Sequence, residues 1–247
     1  MRRLIRGILS GIAFSVFGVG ALSIGLTLLP FIAIFVRDPV RRKYLSAKVI
    51  KYSWMCFVRI MEFFRLIKVD IDRDALQDIR GSIIVANHPS LIDVVILVSV
   101  LPDPICVIKG DIKNNFFMKH VVLNTYIANS EQADEFIEDC SNVLNEGYNL
   151  IIFPEGTRTR PDRESKLHRG AAYVAMNTEA PILPVHIELS EPILGKHQKF
   201  FDVSDKRVTY RIKPKNPIEL QHVISAADSS RNNARKLTEL IKLNIEK

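Results

Sequence analysis

The sequence predicts an α/β fold: a single domain with a largely parallel, helix-flanked sheet, preceded by an N-terminal membrane-embedded helical segment. Three observations predict it. Residues 8–36 carry no charged side chain over 29 positions. Beyond Ser82, strand-like and helix-like runs alternate, as they do in βαβ units around a parallel sheet. Two of the strand-like runs, 83–86 and 150–153, open abruptly into polar loops, the pattern of a buried strand that ends at a site.

Taken in order, the N-terminus is basic at Arg2, Arg3 and Arg6 before the apolar run starts. That run exceeds the ~20 residues needed to cross a bilayer and the ~7–15 of a signal-peptide core. Arg37, Arg41, Arg42 and Lys43 make the far flank basic too, so both ends ask for the cytoplasmic surface. Two arrangements remain open: one tilted span, or a segment broken near Pro30 that dips into one leaflet and returns. Residues 41–68 read as an amphipathic helix. Lys48, Lys51, Arg59, Glu62 and Arg65 share an arc of about 120° and Trp54, Phe57, Val58, Met61, Phe64 and Leu66 fill much of the rest. Such a helix lies in an anionic headgroup layer or packs on the soluble domain. The division is a membrane anchor over 1–70 and a catalytic domain over 71–247.

Within that domain strands are expected at 83–86, 105–108, 125–128, 150–153, 182–188 and 208–212. Helices are expected at 91–100, 113–123, 131–145 and 170–177, with a closing surface helix at 226–247. Ser130 is a candidate N-cap, and Gly147 a C-terminal stop.

The stretch 83–93 organises the rest. His88 precedes Pro89, which pushes it out of helical geometry and suits the first turn of a following helix. Two positions five apart on one helix diverge by about 140°. With His88 in the turn and Asp93 on the helix, however, the imidazole can fold back onto the carboxylate, leaving its second nitrogen free as an oriented general base. The alternative is a satisfied surface histidine beside a cap-like aspartate. The second stretch, 149–160, repeats the design and ends Phe-Pro-Glu-Gly-Thr-Arg-Thr-Arg. Five cations, Arg158, Arg160, Arg163, Lys166 and Arg169, then fall within twelve residues; they form an electropositive rim for an anionic group or a solvated loop.

On these residues the chain resembles the glycerolipid acyltransferase family, the lysophospholipid acyltransferases of the 1-acylglycerol-3-phosphate type. The family's His-x4-Asp block matches Asn87 to Asp93 and its Phe-Pro-Glu-Gly-Thr-Arg block matches Phe153 to Arg158, about 65 residues apart. The resemblance runs from about Ser82 to Val185. It implies transfer of a fatty acyl group from an acyl thioester to a lysophospholipid hydroxyl, with His88 as base and Asp93 fixing its tautomer. By that resemblance Glu155 and Arg158 position the acceptor; Asn87, Lys109, Gly156, Thr157 and Arg169 are the further substrate-binding candidates, with Gly156 and Thr157 chosen as backbone N–H candidates for the oxyanion, which the sequence does not itself identify. The sequence carries no metal cluster, dinucleotide-binding glycine pattern or nucleophile elbow, so no metal and no cofactor is expected beyond acyl-CoA or acyl carrier protein (acyl-ACP) as co-substrate. A bilayer, a lysophospholipid and the thioester carrier are then the partners, and the inner, cytoplasmic membrane the location, with the catalytic domain on its cytoplasmic face. The chain departs from the family's second block. Lys109 can start it, but Asn115 and Met118 stand near its proline and glycine, and Ala128-Asn129-Ser130 where its phosphate-binding arginine belongs. A non-phosphate lipid acceptor is therefore an alternative, as is a catalytically silent lipid-binding relative.

Other classes are weaker. A net charge of +7 and a pI near 9.3 suit a nucleic-acid binder, yet the Arg158 loop lacks the interleaved aromatics of a base-stacking surface. Ser90 and Cys106 are the candidates for a covalent mechanism. Ser90 suits a helix cap, and nothing activates Cys106 in its apolar run. Cys56, Cys106 and Cys140 are odd in number and read as reduced thiols.

Overall fold

The computed structural model describes residues 2–109, 126–129, 133–160 and 164–246. The first helix, α1 (Arg2–Ser23), runs through a π-helical turn, Ile24–Leu28, into α2 (Leu29–Phe35). Pro30 lacks an N–H, and the wider turn just before it, closed by Leu29 N–H donating to the Ile24 carbonyl, lets the helix continue. The chain reverses only at Val36, which is extended; the Asp38 carboxylate then caps α3 (Pro39–Phe63) by accepting from the N–H groups of Val40 and Arg41. α3 runs antiparallel to α1. The Phe14 and Phe17 rings meet Phe57 at 5.3 and 4.5 Å between centroids, and Phe17 meets Trp54 at 6.4 Å. Arg6 ties the start of α1 to the domain by donating to the carbonyls of Arg65, Leu66, Ser204 and Lys206.

The helix expected to reach Lys68 stops at Phe63. Arg65 turns the chain with φ +56°, and Ile67–Ile71 is a strand, β1. The signal was there: Ile67, Val69 and Ile71 alternate with Lys68 and Asp70, a period of two that the preceding helical pattern masked.

Among the described residues six further strands follow: β2 (Ile83–Ala86), β3 (Pro104–Lys109), β4 (Tyr126–Asn129), β5 (Asn149–Ile152), β6 (Ile182–Leu189) and β7 (Val208–Pro214). Their order in the sheet is β1-β7-β6-β2-β5-β3-β4, and the β6–β7 pair alone is antiparallel. Both faces are covered, which is why β2 reads as an unbroken apolar run rather than an alternation. Its residues divide between two cores. Ile84 and Ala86 join Ile50, Trp54, Phe57, Val58 and Met61 of α3, together with Ile96 and Leu97 of a helix α5 (Asp93–Val100); a short helix α4 (Asp74–Gln77) precedes β2. Ile83 and Val85 join the opposite core beneath α6 (Ala133–Asn145), α7 (Gly170–Thr178) and α8 (Ser230–Ile245). So α3 packs on the domain, the second of the two arrangements its sequence allowed.

Gly147 ends α6 as expected. Its φ is +85°, its N–H donates to the Leu144 carbonyl and the Tyr148 N–H to that of Val143, the paired bonds of a left-handed helix stop. The closing helix begins at Ser230 rather than Ala226, because the Ser229 hydroxyl caps it. The helix expected at 113–123 and the Ser130 cap lie outside the described residues.

Candidate active site

β2 and β5 are central neighbours, and the site forms where both run out at their carboxyl ends, the edge at which parallel sheets gather ligands. Asn87 follows β2 directly. Its side chain acts as an extra ladder rung, donating to the Ile187 carbonyl at 2.9 Å and accepting the Ile187 N–H at 2.7 Å. One N–H and one lone pair of its amide are thereby spent on β6.

His88 occupies the turn, and Asp93 is the first residue of α5. The His88 Nδ1 lies 2.9 Å from Asp93 Oδ2, which also accepts the Ser90 N–H at 2.6 Å. The His88 ring lies over Phe153, 4.4 Å between centroids, and its Nε2 makes no hydrogen bond among the described residues. A carboxylate on Nδ1 places the ring's proton there and leaves Nε2 as the acceptor, the requirement for a base. Asp93 itself is fully buried, and burial pushes its carboxyl up, against the downward pull of the bonds from His88 and Ser90.

Neither covalent candidate has the environment of a nucleophile. Ser90 is fully buried, with its Oγ accepting the Tyr210 hydroxyl at 2.7 Å. Burial drives the Cys106 thiol far above its ordinary range and that of Cys140 up to about 12.

From β5 the chain turns at Pro154. Gly156 has φ +61°, and a Cβ there would stand 3.2 Å from the His168 ring, so both conformation and space call for glycine. Its N–H, one of the two oxyanion candidates, closes the turn on the Phe153 carbonyl at 3.0 Å; Thr157 makes no hydrogen bond among the described residues. Both oxygens of Glu155 are engaged: Oε1 accepts from the Thr159 hydroxyl at 2.5 Å and the His88 N–H at 3.2 Å, and Oε2 accepts from Ser165 Oγ at 2.8 Å. Arg158 donates through one amino group to the carbonyls of Leu194 and Gly195, at 3.0 and 2.9 Å. The Glu155 and Arg158 side chains therefore brace the loop. Arg169 is the residue that precedes α7; its carbonyl accepts the Tyr173 N–H at 3.0 Å, and its side chain makes no hydrogen bond among the described residues. Lys109 ends β3, and its side chain lies outside what is described, as do Arg163, Asn115 and Met118. No cluster of metal-ligating side chains occurs among the described residues.

Sequence reasoning did not single out Thr159, Ser165 or Tyr210. Thr159 stood inside the quoted stretch, but its partner is 71 residues away; Tyr210 meets Ser90 from 120 residues away.

A family model described as Acyltransferase matches residues 68–188. The chain is 28% identical over 155 residues to a 1-acyl-sn-glycerol-3-phosphate acyltransferase beta of Homo sapiens, covering 59% of this chain and 55% of that one. It is 26% identical over 159 residues to a 1-acyl-sn-glycerol-3-phosphate acyltransferase of Helicobacter pylori, covering 62% and 65%. The chain thus spans between half and two thirds of these two relatives. A crystal structure of the 1-acyl-sn-glycerophosphate acyltransferase from Thermotoga maritima superposes with a TM-score of 0.73 at 20% identity, over 100% of this chain and 97% of that one, and shares the fold.

Proposed function

We propose, from the match of residues 68–188 to the acyltransferase family, that this chain is a membrane-bound enzyme of that family moving a fatty acyl group from acyl-CoA or acyl-ACP to the hydroxyl of a lysophospholipid of the 1-acylglycerol-3-phosphate type. The observation that carries the reading is the His88–Asp93 pair, 2.9 Å apart, with no hydrogen bond to Nε2 among the described residues. Nε2 takes the hydroxyl proton as the oxygen attacks the thioester carbon, and Asp93 stabilises the imidazolium that results. The tetrahedral oxyanion needs a donor; Thr157 N–H is the candidate left once Gly156 is spent on its turn. Collapse breaks the carbon–sulfur bond, and the imidazolium returns its proton to the departing thiolate.

Membrane attachment is supported by α1 and α2. Leu4, Ile8, Ile12, Val16 and Val19 are largely exposed along α1, opposite the face that packs on α3, and Leu26, Phe31, Ile34 and Phe35 continue the exposure. A bilayer is the medium in which such a stripe is stable. The basic flanks favour a domain on the cytoplasmic side of an inner membrane.

The test is transfer from labelled acyl-CoA and acyl-ACP to a panel of lysophospholipids and non-phosphate lipids, with His88→Ala alongside. Acylation of a lysophospholipid, with kcat lowered about 10²- to 10⁴-fold in the variant, is the expected result; equal rates in both proteins would sink the reading. A second reading, a non-phosphate lipid acceptor, rests on the binding of Arg158 to main-chain carbonyls and on the departure in the second block. Activity confined to non-phosphate acceptors would select it.

A further inference from the structure

The last paired residues of β2 and β5 are Val85 and Ile152. Beyond them one chain turns through His88 and Pro89, and the other swings out through Pro154 to Arg158. Thr159 brings the two back together. Its N–H donates to the His88 carbonyl at 2.7 Å, and its Oγ1 accepts the His88 N–H at 3.0 Å. One residue thus holds both main-chain polar groups of the base. The Thr159 hydroxyl proton goes to Glu155 Oε1, and Ser165 holds the other oxygen of that buried carboxylate.

We propose that Thr159 is a positioning residue for the transfer: it fixes the main chain of His88 against the Glu155–Arg158 loop and so sets where Nε2 stands relative to the donors of that loop. Asp93 and Phe153 hold the ring, but they fix its orientation rather than the place of its Cα. The role requires a hydroxyl, which accepts and donates at once, and a β-branched side chain holds its rotamer while it does so. Valine keeps the shape and does neither. In Thr159→Val the Glu155 Oε1 loses its hydroxyl donor and the His88 N–H keeps only its longer bond, to that oxygen, so the base drifts from its place. Serine retains both bonds.

The inference rests on reading His88 as the base, and the experiment separates the two. Steady-state acyl transfer by the full chain, its Thr159→Val and Thr159→Ser variants and His88→Ala is measured together with the rate of His88 modification by diethyl pyrocarbonate across pH, read by mass spectrometry. Thr159→Val is expected to lower kcat about 10- to 100-fold with KM unchanged and to move the pH profile of His88 modification. Thr159→Ser is expected to restore most of kcat and the parent profile. If His88→Ala is as active as the parent, the base assignment fails, and the modification profiles still decide the clamp. A valine variant matching the parent in kcat and profile, or a serine variant as impaired as valine, would overturn the proposal. Should the valine chain not fold, Thr159→Ala carries the same comparison.

Discussion

At the scale of single residues, the energetics of Asp93 oppose its use. One oxygen takes two hydrogen bonds, while Oδ1 is buried without a partner among the described residues, a cost ordinarily avoided in a protein interior. Because burial raises its folded-state pKa, the folded protein holds the proton better than the unfolded chain does. The stability this contributes is full below the ordinary aspartate value of 3.8 and is lost as pH rises through the folded-state value. An asparagine in its place does not titrate and carries no such dependence. Asp93→Asn is therefore expected to match the parent's Tm near the acid end and exceed it at pH 7. Activity should fall about 10²- to 10⁴-fold, because a neutral amide brings no charge to stabilise the imidazolium that forms. Melting curves and transfer rates check both halves, and a lower Tm at pH 7 would show the hydrogen bonds from His88 and Ser90 outweighing the burial. This pair was legible in the sequence because its members are five residues apart and proline fixes the turn between them. The Tyr210–Ser90 bond and the Thr159 clamp were not, since each exists only once distant strands have been brought side by side.

At the scale of elements, the apolar run divides its faces by task. Phe14 and Phe17 pack inward on α3, whereas Ile8, Ile12, Val16 and Val19 fall on the other side and are roughly half exposed or more. If each of those four contributes about 1 kcal/mol on entering hydrocarbon, together they move a partition coefficient on the order of 10³-fold. Replacing all four by serine should therefore release the protein from sedimented phospholipid vesicles while leaving its Tm in detergent close to the parent's. Retained vesicle binding would shift attachment to another surface, such as the exposed Phe200 and Phe201. Length and lack of charge made this helix readable. The reversal at Val36 to Asp38, rather than at Pro30, was not, because a π-helical turn absorbs what proline ordinarily breaks. β1 was missed for a related reason: five alternating residues after a long amphipathic helix look like its last turn, and only pairing with β7 identifies them.

At the scale of the whole molecule, the N-terminal helices pack as part of the domain. The sheet has two covered faces, and α3 supplies much of the cover on one of them, over Ile84, Ala86, Leu183 and Val185. α1 in turn covers α3, and β1 forms the sheet edge beside β7. The strand–helix alternation after Ser82 revealed the parallel sheet and the position of both site loops, but nothing local in residues 41–68 distinguished a helix lying on lipid from one completing a core. The difference is the partner, and the partner is the far side of the fold. Removing residues 1–70 would strip β1 and α3 together, exposing Ile84 and its neighbours and the paired edge of β7, a surface prone to aggregation. The truncated chain is accordingly expected to be insoluble or to elute as large aggregates without the cooperative melting of the parent, by size-exclusion chromatography and circular dichroism. A monodisperse, cooperatively folded fragment of residues 71–247 would mean that the catalytic unit is complete without α3, and that the anchor's only task is to hold it at the membrane.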